Sequence, residues 1–391
     1  MRRITVFGAT GSVGESTLDL ISRREDVAVV ALTGGRQVDR LAELARAHRA
    51  ELVVTAYEEC YRPLNAALAG SGIEVAAGPG AVVEAAYRPA DWVMSAIVGA
   101  AGLAPGFAAL SQGLILALAN KESLVTAGPL LLAEARAHGA TLLPVDSEHS
   151  AVFQALVGET IETVEEVTLT ASGGGLRDWP LEKLAEATVT DAGNHPNWAM
   201  GQRITIDSAT MFNKAMEVIE AREFFGLSPE QIRVLIHPQS LVHALVAFRD
   251  GGVLAHLGSP DMRHPIGYAL NWPARAALPV ARLDLAAAGR LDFFEVDPRR
   301  YPALGLARVV MQRGGAAGAV FNAAKEVALD HFIDGRIGFL DMAHAVEDTL
   351  ERYESHGGLG IAPNSLQDVL DIDTAARRHA VEVIGAGYPA A

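Results

Sequence analysis

The sequence ITVFGATGSVG at residues 4–14 predicts how this chain begins to fold. Ile4–Phe7 is a short apolar run, as in a buried strand, and glycines at positions 8, 11 and 14 follow it directly. Such glycines permit a tight turn, a close approach of the backbone to a pyrophosphate and close packing of the next helix on the strand. The segment therefore predicts a dinucleotide-binding βαβ unit, although a purely structural glycine-rich turn would show the same pattern.

The first 146 residues repeat this alternation of short apolar runs with helical patterns. The further predicted strands are Val27–Leu32, Leu52–Thr55, Trp92–Ile97, Leu114–Ala119 and Thr141–Val145. Alanine-rich amphipathic stretches such as Arg40–His48 lie between them. Strands that alternate with helices form parallel βαβ units, so we expect an α/β fold with a Rossmann-like, doubly wound parallel sheet.

The pattern changes after about residue 150. The strand-like runs there are Glu166–Ala171, Arg203–Asp207, Arg233–His237, Val242–Phe248 and Val253–Leu257, and a hairpin turn separates the last two. The helical runs are Ala316–Ile333, Phe339–Tyr353 and Leu366–Ile384. We therefore expect a central α+β catalytic domain and a C-terminal helical bundle. The predicted boundaries are 1–146 for the nucleotide-binding domain, 147–277 for the catalytic domain, 278–302 for a linker and 303–391 for the helical domain.

The composition excludes several classes of protein. The 391 residues carry a net charge of −15, which argues against nucleic acid or an anionic membrane as the main partner. The one cysteine, Cys60, excludes an internal disulfide and a cysteine-based zinc site. Glycines and polar residues interrupt the apolar run 92–120 before it reaches the ~20 residues of a membrane span. With no signal peptide before the first strand, we expect a cytoplasmic protein.

The loop after the second predicted strand indicates which coenzyme would bind. An NAD enzyme usually carries Asp or Glu there to accept a hydrogen bond from the ribose 2′-hydroxyl. This chain has Gly35, Arg36 and Gln37 instead, and a guanidinium can pair with the 2′-phosphate of NADPH. The pattern favours NADPH, with a solvated loop arginine as the alternative.

Three acidic residues are candidates for a metal site. Asp146 and Glu148 follow the sixth predicted strand, and two carboxylates so close in an extended segment repel each other unless a cation binds. Together with Glu217 they would supply only oxygen ligands, a set that selects Mg²⁺ or Mn²⁺ over zinc. The alternative is ordinary surface charge.

Residues 195–217 read HPNWAMGQRITIDSATMFNKAME and concentrate reactive side chains. Ser208 stands where a helix N-cap is expected, and the helix after it would carry Asn213 and Glu217 on one face, with Lys214 beside them. A capped helix N-terminus next to a lysine is suited to hold a phosphate. The segment predicts a phosphorylated substrate bound next to a cation, or else an amphipathic helix with solvated charges.

Two further segments follow predicted strands. Lys121, in the run Asn120-Lys121-Glu122, could contact a substrate hydroxyl or the nicotinamide side of the coenzyme. Ser172 precedes three glycines whose exposed N–H groups could receive an anion, although a flexible loop would have the same composition.

These motifs together resemble one known family. GATGSVG, AIVGAAGL, ALANKES, DSEHSA, ASGGG, HPNW-x-MG, DSATM-x-NK-x-x-E and HPQS-x-VH occur in that order along nearly the whole chain. Because it carries these eight motifs in this order, the sequence resembles the 1-deoxy-D-xylulose 5-phosphate reductoisomerase family. The chain departs from the family pattern at Gln37, at Gly175-Leu176 and at Ser259.

The resemblance implies an activity. We expect an NADPH- and divalent-metal-dependent rearrangement and reduction of 1-deoxy-D-xylulose 5-phosphate to 2-C-methyl-D-erythritol 4-phosphate, in isoprenoid precursor biosynthesis, by a homodimer. The alternatives are an NADP-dependent oxidoreductase for another sugar phosphate and a relative that binds NADPH without turnover.

The resemblance also implies roles for individual residues. Those expected at the coenzyme are Gly8, Thr10, Gly11, Ser12, Val13, Gly35, Arg36, Gln37, Asn120, Glu122 and Gly201. Those expected at the substrate are Lys121, Ser147, Glu148, Ser172, His195, Trp198, Ser208, Asn213, Lys214 and Glu217. Asp146, Glu148 and Glu217 would bind the metal, and Lys121, Glu148 and His195 would be catalytic. Trp198, Met200 and Gly201 would belong to a mobile loop that closes over the substrate.

Overall fold

The computed structural model describes residues 1–198 and 201–387, so Met200 of the expected mobile loop lies outside the described residues. The chain forms two compact units, each built from segments that are separate in sequence. The first unit contains residues 1–123, 131–150 and 261–281. The second contains residues 124–130, 151–260 and the chain from residue 282 onward. The division into three domains and a linker, with boundaries at 146, 277 and 302, stays a prediction.

A parallel sheet of seven strands forms the centre of the first unit. Its strands are β1 (Arg2–Phe7), β2 (Val27–Gly34), β3 (Leu52–Thr55), β4 (Glu74–Ala77), β5 (Trp92–Ser95), β6 (Ile115–Leu118) and β7 (Thr141–Pro144), in the order β4-β3-β2-β1-β5-β6-β7. The six predicted strands are present. The seventh, β4, was not predicted, because Val75 is its one strongly strand-forming residue. The order reverses between β1 and β5, where such sheets bind ligands, and the predicted α/β class is confirmed.

Helices occupy most of the remaining chain. Those in the first half are α1 (Ser12–Ile21), α2 (Val38–Ala47), α3 (Tyr61–Ala67), α4 (Pro79–Glu84), α5 (Leu103–Ser111), α6 (Glu122–Ala137) and α7 (Ser147–Ala155). Those that follow are α8 (Val189–Ala192), α9 (Gln202–Ala209), α10 (Phe212–Phe225), α11 (Arg263–Asn271), α12 (Leu285–Ala288), α13 (Pro302–Arg313), α14 (Ala317–Ile333), α15 (Asp341–Ser355) and α16 (Leu366–Gly387). Within residues 1–198 and 201–387, no helix combines the length and the apolar character needed to cross a bilayer.

A mixed sheet of five strands lies in the second unit. Its strands are β8 (Val164–Ala171), β9 (Ile232–Ile236), β10 (Val242–Phe248), β11 (Val253–Leu257) and β12 (Phe294–Glu295), in the order β11-β10-β8-β9-β12. β8 pairs in parallel with β9, and the predicted hairpin is the antiparallel pair β10–β11. β12 pairs with β9 from within the segment predicted as a linker.

The predicted C-terminal helices are present as α14, α15 and α16, and they share one apolar core with α10 and α13. The ring of Phe321 on α14 lies 5.8 Å from the ring of Phe212 on α10. The N-terminus of α10 therefore belongs to a tightly packed part of the second unit.

Two local predictions around residue 205 are wrong. Arg203–Asp207, expected as a strand, lies in helix α9, because Thr205, Ile206 and Ala209 are buried with helical rather than alternating spacing. Ser208, expected as the N-cap of the following helix, is in the last turn of α9. The N-cap of α10 is Met211, which adopts a left-handed conformation with φ +63°.

Candidate functional site

The glycine-rich turn after β1 has the form that a pyrophosphate site needs. Gly8 has φ +81°, and a Cβ there would lie 2.5 Å from the carbonyl oxygen of Ala96. A Cβ on Gly14 would lie 2.2 Å from the oxygen of Gly8, so the helix packs on the turn only because glycine stands there. Helix α1 begins after Gly11 without a side-chain cap, and Ser12 is exposed. Its first N–H groups are therefore available to an anion.

Arg36, the candidate for the 2′-phosphate, lies in the loop after β2. Its guanidinium carbon is 3.8 Å from the centre of the Tyr57 ring, and Nη1 is 2.7 Å from Oε1 of Glu59. Both charged side chains are more than half exposed. An anion from solvent can therefore reach this guanidinium.

Asn120 and Glu122 brace the loop that follows β5. Asn120 Nδ2 donates to the carbonyl oxygens of Ile97 and Gly99 at 2.7 and 3.0 Å and to Glu122 at 2.9 Å. Glu122 accepts a hydrogen bond from the amide of Gly99 at 3.1 Å. Both side chains are buried, so these bonds hold the β5 and β6 loops together at the carboxyl edge of the sheet. Coenzyme contact by the two residues stays a prediction.

An ion pair and two carboxylates lie where β7 ends. Lys121 Nζ is 2.5 Å from Oδ2 of Asp146, and both side chains are less than one-fifth exposed. Glu148 is in the first turn of α7 rather than in an extended segment as predicted, and Ser147 Oγ donates to it at 2.5 Å. Oxygens of Asp146 and Glu148 still approach within 4.8 Å of each other. Two carboxylates this close fit one hard cation.

His195 and Ser172 form a hydrogen-bonded pair in the second unit. His195 Nδ1 accepts the backbone N–H groups of Asn197 and Trp198 at 3.1 and 2.9 Å. Nδ1 therefore carries no proton, and the neutral ring donates from Nε2 to Ser172 Oγ at 2.9 Å. Ser172 Oγ also accepts from the amide of Gly174 at 3.1 Å. Burial lowers the pKa of His195, consistent with a neutral ring.

The loop of three glycines packs closely against helix α9. A Cβ on Gly174 would lie 2.5 Å from Cα of Ala209 and 2.9 Å from the carbonyl oxygen of Ser208. The structure therefore brings Ser172 and Ser208 into one region. Tyr301 Oη, from the predicted linker, donates to the oxygen of Gly173 at 2.9 Å, and burial raises the pKa of Tyr301 to about 12.

Helix α10 presents the predicted polar group. Asn213 Nδ2 donates to Oε1 of Glu217, and Lys214 forms an ion pair with Oε2 of the same carboxylate. Lys214 and Glu217 are almost completely buried. The prediction that Asn213 and Glu217 share one face is confirmed, and Gly226 ends the helix in a left-handed conformation.

Several residues that no sequence motif indicated organise this part of the second unit. Asn197 Nδ2 donates to the carbonyl oxygen of Pro238 at 2.5 Å and to Ser240 Oγ at 2.8 Å. The ring of His243 is buried and lies 6.3 Å from the ring of Trp198. Lys325 on α14 pairs with Asp207. These contacts join residues far apart in sequence, so no local pattern could reveal them.

The predicted residues divide between the two units. Asp146, Ser147, Glu148 and Lys121 belong to the first unit together with the coenzyme residues up to Glu122. Ser172, His195, Trp198, Ser208, Asn213, Lys214 and Glu217 belong to the second. The first unit therefore offers a nucleotide cradle with carboxylates suited to a cation, and the second offers hydroxyl, imidazole, amide and ammonium groups suited to a phosphate.

Family models match most of the chain. The model for 1-deoxy-D-xylulose 5-phosphate reductoisomerase matches residues 4–128, the model for the C-terminal domain of that enzyme matches residues 142–225, and the DXP reductoisomerase C-terminal domain matches residues 257–379.

Individual relatives agree with the family models. The 1-deoxy-D-xylulose 5-phosphate reductoisomerase of Ruegeria pomeroyi is 66% identical over 379 residues, which cover 97% of this chain and 96% of that one. That of Paracoccus denitrificans is 64% identical over 389 residues, covering 99% and 100%.

Solved structures of such enzymes are also similar. The enzyme from Zymomonas mobilis in complex with NADPH has a TM-score of 0.92 and 46% identity, with 99% of both chains covered. A DOX-P reductoisomerase in complex with NADPH, fosmidomycin and magnesium has a TM-score of 0.93 and 38% identity, with 98% of both covered.

Proposed function

This chain belongs to the 1-deoxy-D-xylulose 5-phosphate reductoisomerase family, and from that premise we propose which of its residues perform the family's reaction. The protein is an NADP-dependent oxidoreductase that uses NADPH and a divalent metal ion. It converts 1-deoxy-D-xylulose 5-phosphate into 2-C-methyl-D-erythritol 4-phosphate in isoprenoid precursor biosynthesis. The observation that carries this conclusion is 66% identity to such an enzyme over almost the whole chain.

NADPH binds along the carboxyl edge of the seven-stranded sheet and supplies the hydride. The turn from Gly8 to Val13 receives the pyrophosphate, supported by the uncapped start of α1. Gly35, Arg36 and Gln37 hold the 2′-phosphate end. Asn120 and Glu122 act on the nicotinamide side by keeping the β5 and β6 loops in place. Gly201 also contacts the coenzyme.

Asp146, Glu148 and Glu217 are the metal ligands, and a bound divalent ion supplies Lewis-acid polarisation of the substrate oxygens. The donor set fits because all three are carboxylates, and because Asp146 and Glu148 approach each other closely. The ammonium of Lys121 neutralises part of the charge on Asp146. In the proposed reaction it also contacts a substrate hydroxyl. The hydroxyl of Ser147 donates a hydrogen bond to Glu148, so it orients that carboxylate. Ser147 also contacts the substrate. Magnesium and manganese both suit such ligands.

The second unit binds the phosphate end of the substrate through Ser172, Ser208, Asn213, Lys214 and His195. The hydroxyl of Ser172 accepts two hydrogen bonds within the protein, so its own proton is left to donate to a phosphate oxygen. Phosphate held there is remote from the bonds that change, and this binding energy drives closure of the loop that carries Trp198. The closed loop excludes water from the reacting carbon atoms.

The enzyme acts as a homodimer in the cytoplasm. The resemblance implies the homodimer, and the second unit offers a surface for association. β11 is an edge strand on which Val253 and Leu254 are about half exposed, and unpaired strand edges readily pair with another chain. Light scattering of the purified protein should give twice the chain mass of 41.2 kDa.

A direct assay of NADPH oxidation decides between this function and its alternatives. The purified protein is incubated with 1-deoxy-D-xylulose 5-phosphate, NADPH and Mg²⁺, and the nicotinamide absorbance is followed with and without a chelator. We expect oxidation of NADPH, loss of the signal with the chelator, and a product identified as 2-C-methyl-D-erythritol 4-phosphate. Turnover of another sugar phosphate with none of this one would assign a different substrate, and NADPH binding without any turnover would assign a sensor.

A further inference from the structure

We propose that Glu59 limits how strongly this enzyme prefers NADPH over NADH, because its carboxylate occupies the guanidinium that the coenzyme's 2′-phosphate would use. The inference rests on the proposed placement of the 2′-phosphate at Arg36. Glu59 belongs to none of the motifs that carry the family resemblance, and it has no role in the proposed reaction.

Arg36 and Glu59 come from two neighbouring loops. Arg36 follows β2, and Glu59 lies in the 3₁₀ helix Glu58–Cys60 that follows β3, which pairs in parallel with β2. Both loops therefore emerge at the carboxyl edge of the sheet, where α/β proteins bind nucleotides. Arg36 Nη1 and Glu59 Oε1 are 2.7 Å apart, with exposed fractions of 61% and 59% for the two side chains.

Tyr57 makes a second contact with the guanidinium, and this contact does not involve Glu59. The guanidinium carbon of Arg36 lies 3.8 Å from the centre of the Tyr57 ring, a cation–π contact that favours this position of the group. Gly35 faces the same ring, since a Cβ added there would lie 3.6 Å from Cε2 of Tyr57. Removal of the Glu59 carboxylate therefore leaves Arg36 preorganised for an anion.

The charge on Glu59 opposes the phosphate. Hydrogen bonds with its own backbone and with Arg36 lower the pKa of Glu59, so the carboxylate is ionised at neutral pH. Exposed ion pairs contribute little free energy, so a phosphate can displace the Glu59 carboxylate from the guanidinium or share the guanidinium with it. In either case the phosphate then lies close to the negative charge of Glu59. Coulomb repulsion over ~5–7 Å in water, reduced by salt, corresponds to roughly a 3- to 10-fold loss of affinity. NADH lacks the phosphate and does not experience this repulsion.

The test compares dissociation constants of NADPH and NADH, measured by nicotinamide fluorescence, in the wild-type protein and in Glu59→Gln. We expect Glu59→Gln to bind NADPH roughly 3- to 10-fold more tightly, with NADH unchanged and with a smaller gain at high salt. Glu58→Gln is the matched control, because it removes the charge of the neighbouring glutamate. The Glu58 side chain lies along Gly78, where an added Cβ would be 3.3 Å from Cγ of Glu58. An equal gain in Glu58→Gln, or no gain in Glu59→Gln, would overturn the proposal.

Arg36→Met separates this inference from the placement on which it rests. If Arg36→Met weakens NADPH but not NADH, the 2′-phosphate is at Arg36, and a Glu59→Gln variant with unchanged affinity then refutes the role of Glu59 alone. If Arg36→Met leaves both affinities unchanged, the placement of the 2′-phosphate is wrong, and the role of Glu59 is refuted with it.

Discussion

The two ring nitrogens of His195 have different partners, and substitutions that mimic one nitrogen at a time should separate their functions. Nδ1 accepts the amides of Asn197 and Trp198, and Nε2 donates to Ser172. Asparagine carries an oxygen where Nδ1 was, whereas glutamine reaches the position of Nε2. We expect His195→Asn to keep the turn at residues 195–198 and lose the contact with Ser172. We expect His195→Gln to do the reverse.

The size of each effect follows from the number of hydrogen bonds lost. A hydrogen bond contributes a net ~0.5–1.5 kcal/mol, so loss of the two bonds to Nδ1 costs about 1–3 kcal/mol. The Asn197 and Trp198 amides should therefore exchange with solvent about 5- to 150-fold faster in His195→Gln. Loss of the single bond to Ser172 should raise the KM for the phosphorylated substrate about 2- to 12-fold in His195→Asn.

Hydrogen exchange of the peptide that contains residues 195–198, followed by mass spectrometry, measures the first effect, and steady-state kinetics measure the second. Burial lowers the pKa of His195, so the neutral ring stabilises the turn fully above the ordinary histidine pKa of about 6.5. That stabilisation should be lost progressively as the pH falls below this value. Equal exchange rates in His195→Asn and His195→Gln at pH 7.5 would refute the assignment of Nδ1 to the turn.

Three further substitutions test separate parts of the molecule. Glu148→Gln should lower turnover at least ~100-fold, since a lost charge-stabilising group costs about 3 kcal/mol, while NADPH affinity by fluorescence stays unchanged; near-normal turnover would remove Glu148 from the metal site. Gly14→Ala places a Cβ 2.2 Å from the oxygen of Gly8. The overpacking costs about 1–3 kcal/mol and should weaken NADPH binding at least ~5-fold. An unchanged dissociation constant would contradict the turn geometry. Lys325→Met removes the ammonium that pairs with the buried Asp207 and should lower the free energy of unfolding in urea by about 3–5 kcal/mol. The double variant Lys325→Met/Asp207→Asn should recover most of this loss. Equal stability of the single and the double variant would argue against the ion pair.

Much of the candidate site could be expected from the sequence because its motifs are short and follow strands. Ser172 comes directly after β8, and Asp146 is the second residue after β7; a side chain in such a position lies at the carboxyl edge of its sheet. The orientation of His195 could not be expected, since its tautomer follows from two backbone amides and a hydroxyl that only the folded loop brings near. Tyr301 and Lys325 were missed for the same reason: each has its partner more than a hundred residues away.

The sequence alone determined the α/β class, six of the seven strands of the parallel sheet, the hairpin β10–β11 and the three long C-terminal helices, because hydrophobic periodicity and glycine turns act over a few residues. The tertiary structure decided the conformation of residues 203–207, where alternating residues suggested a strand. The buried contacts of Ile206 and the ion pair from Asp207 to Lys325 stabilise a helix there instead. A five-residue pattern carries too little free energy to resist such long-range contacts, so packing rather than local preference sets the backbone beside the proposed phosphate site.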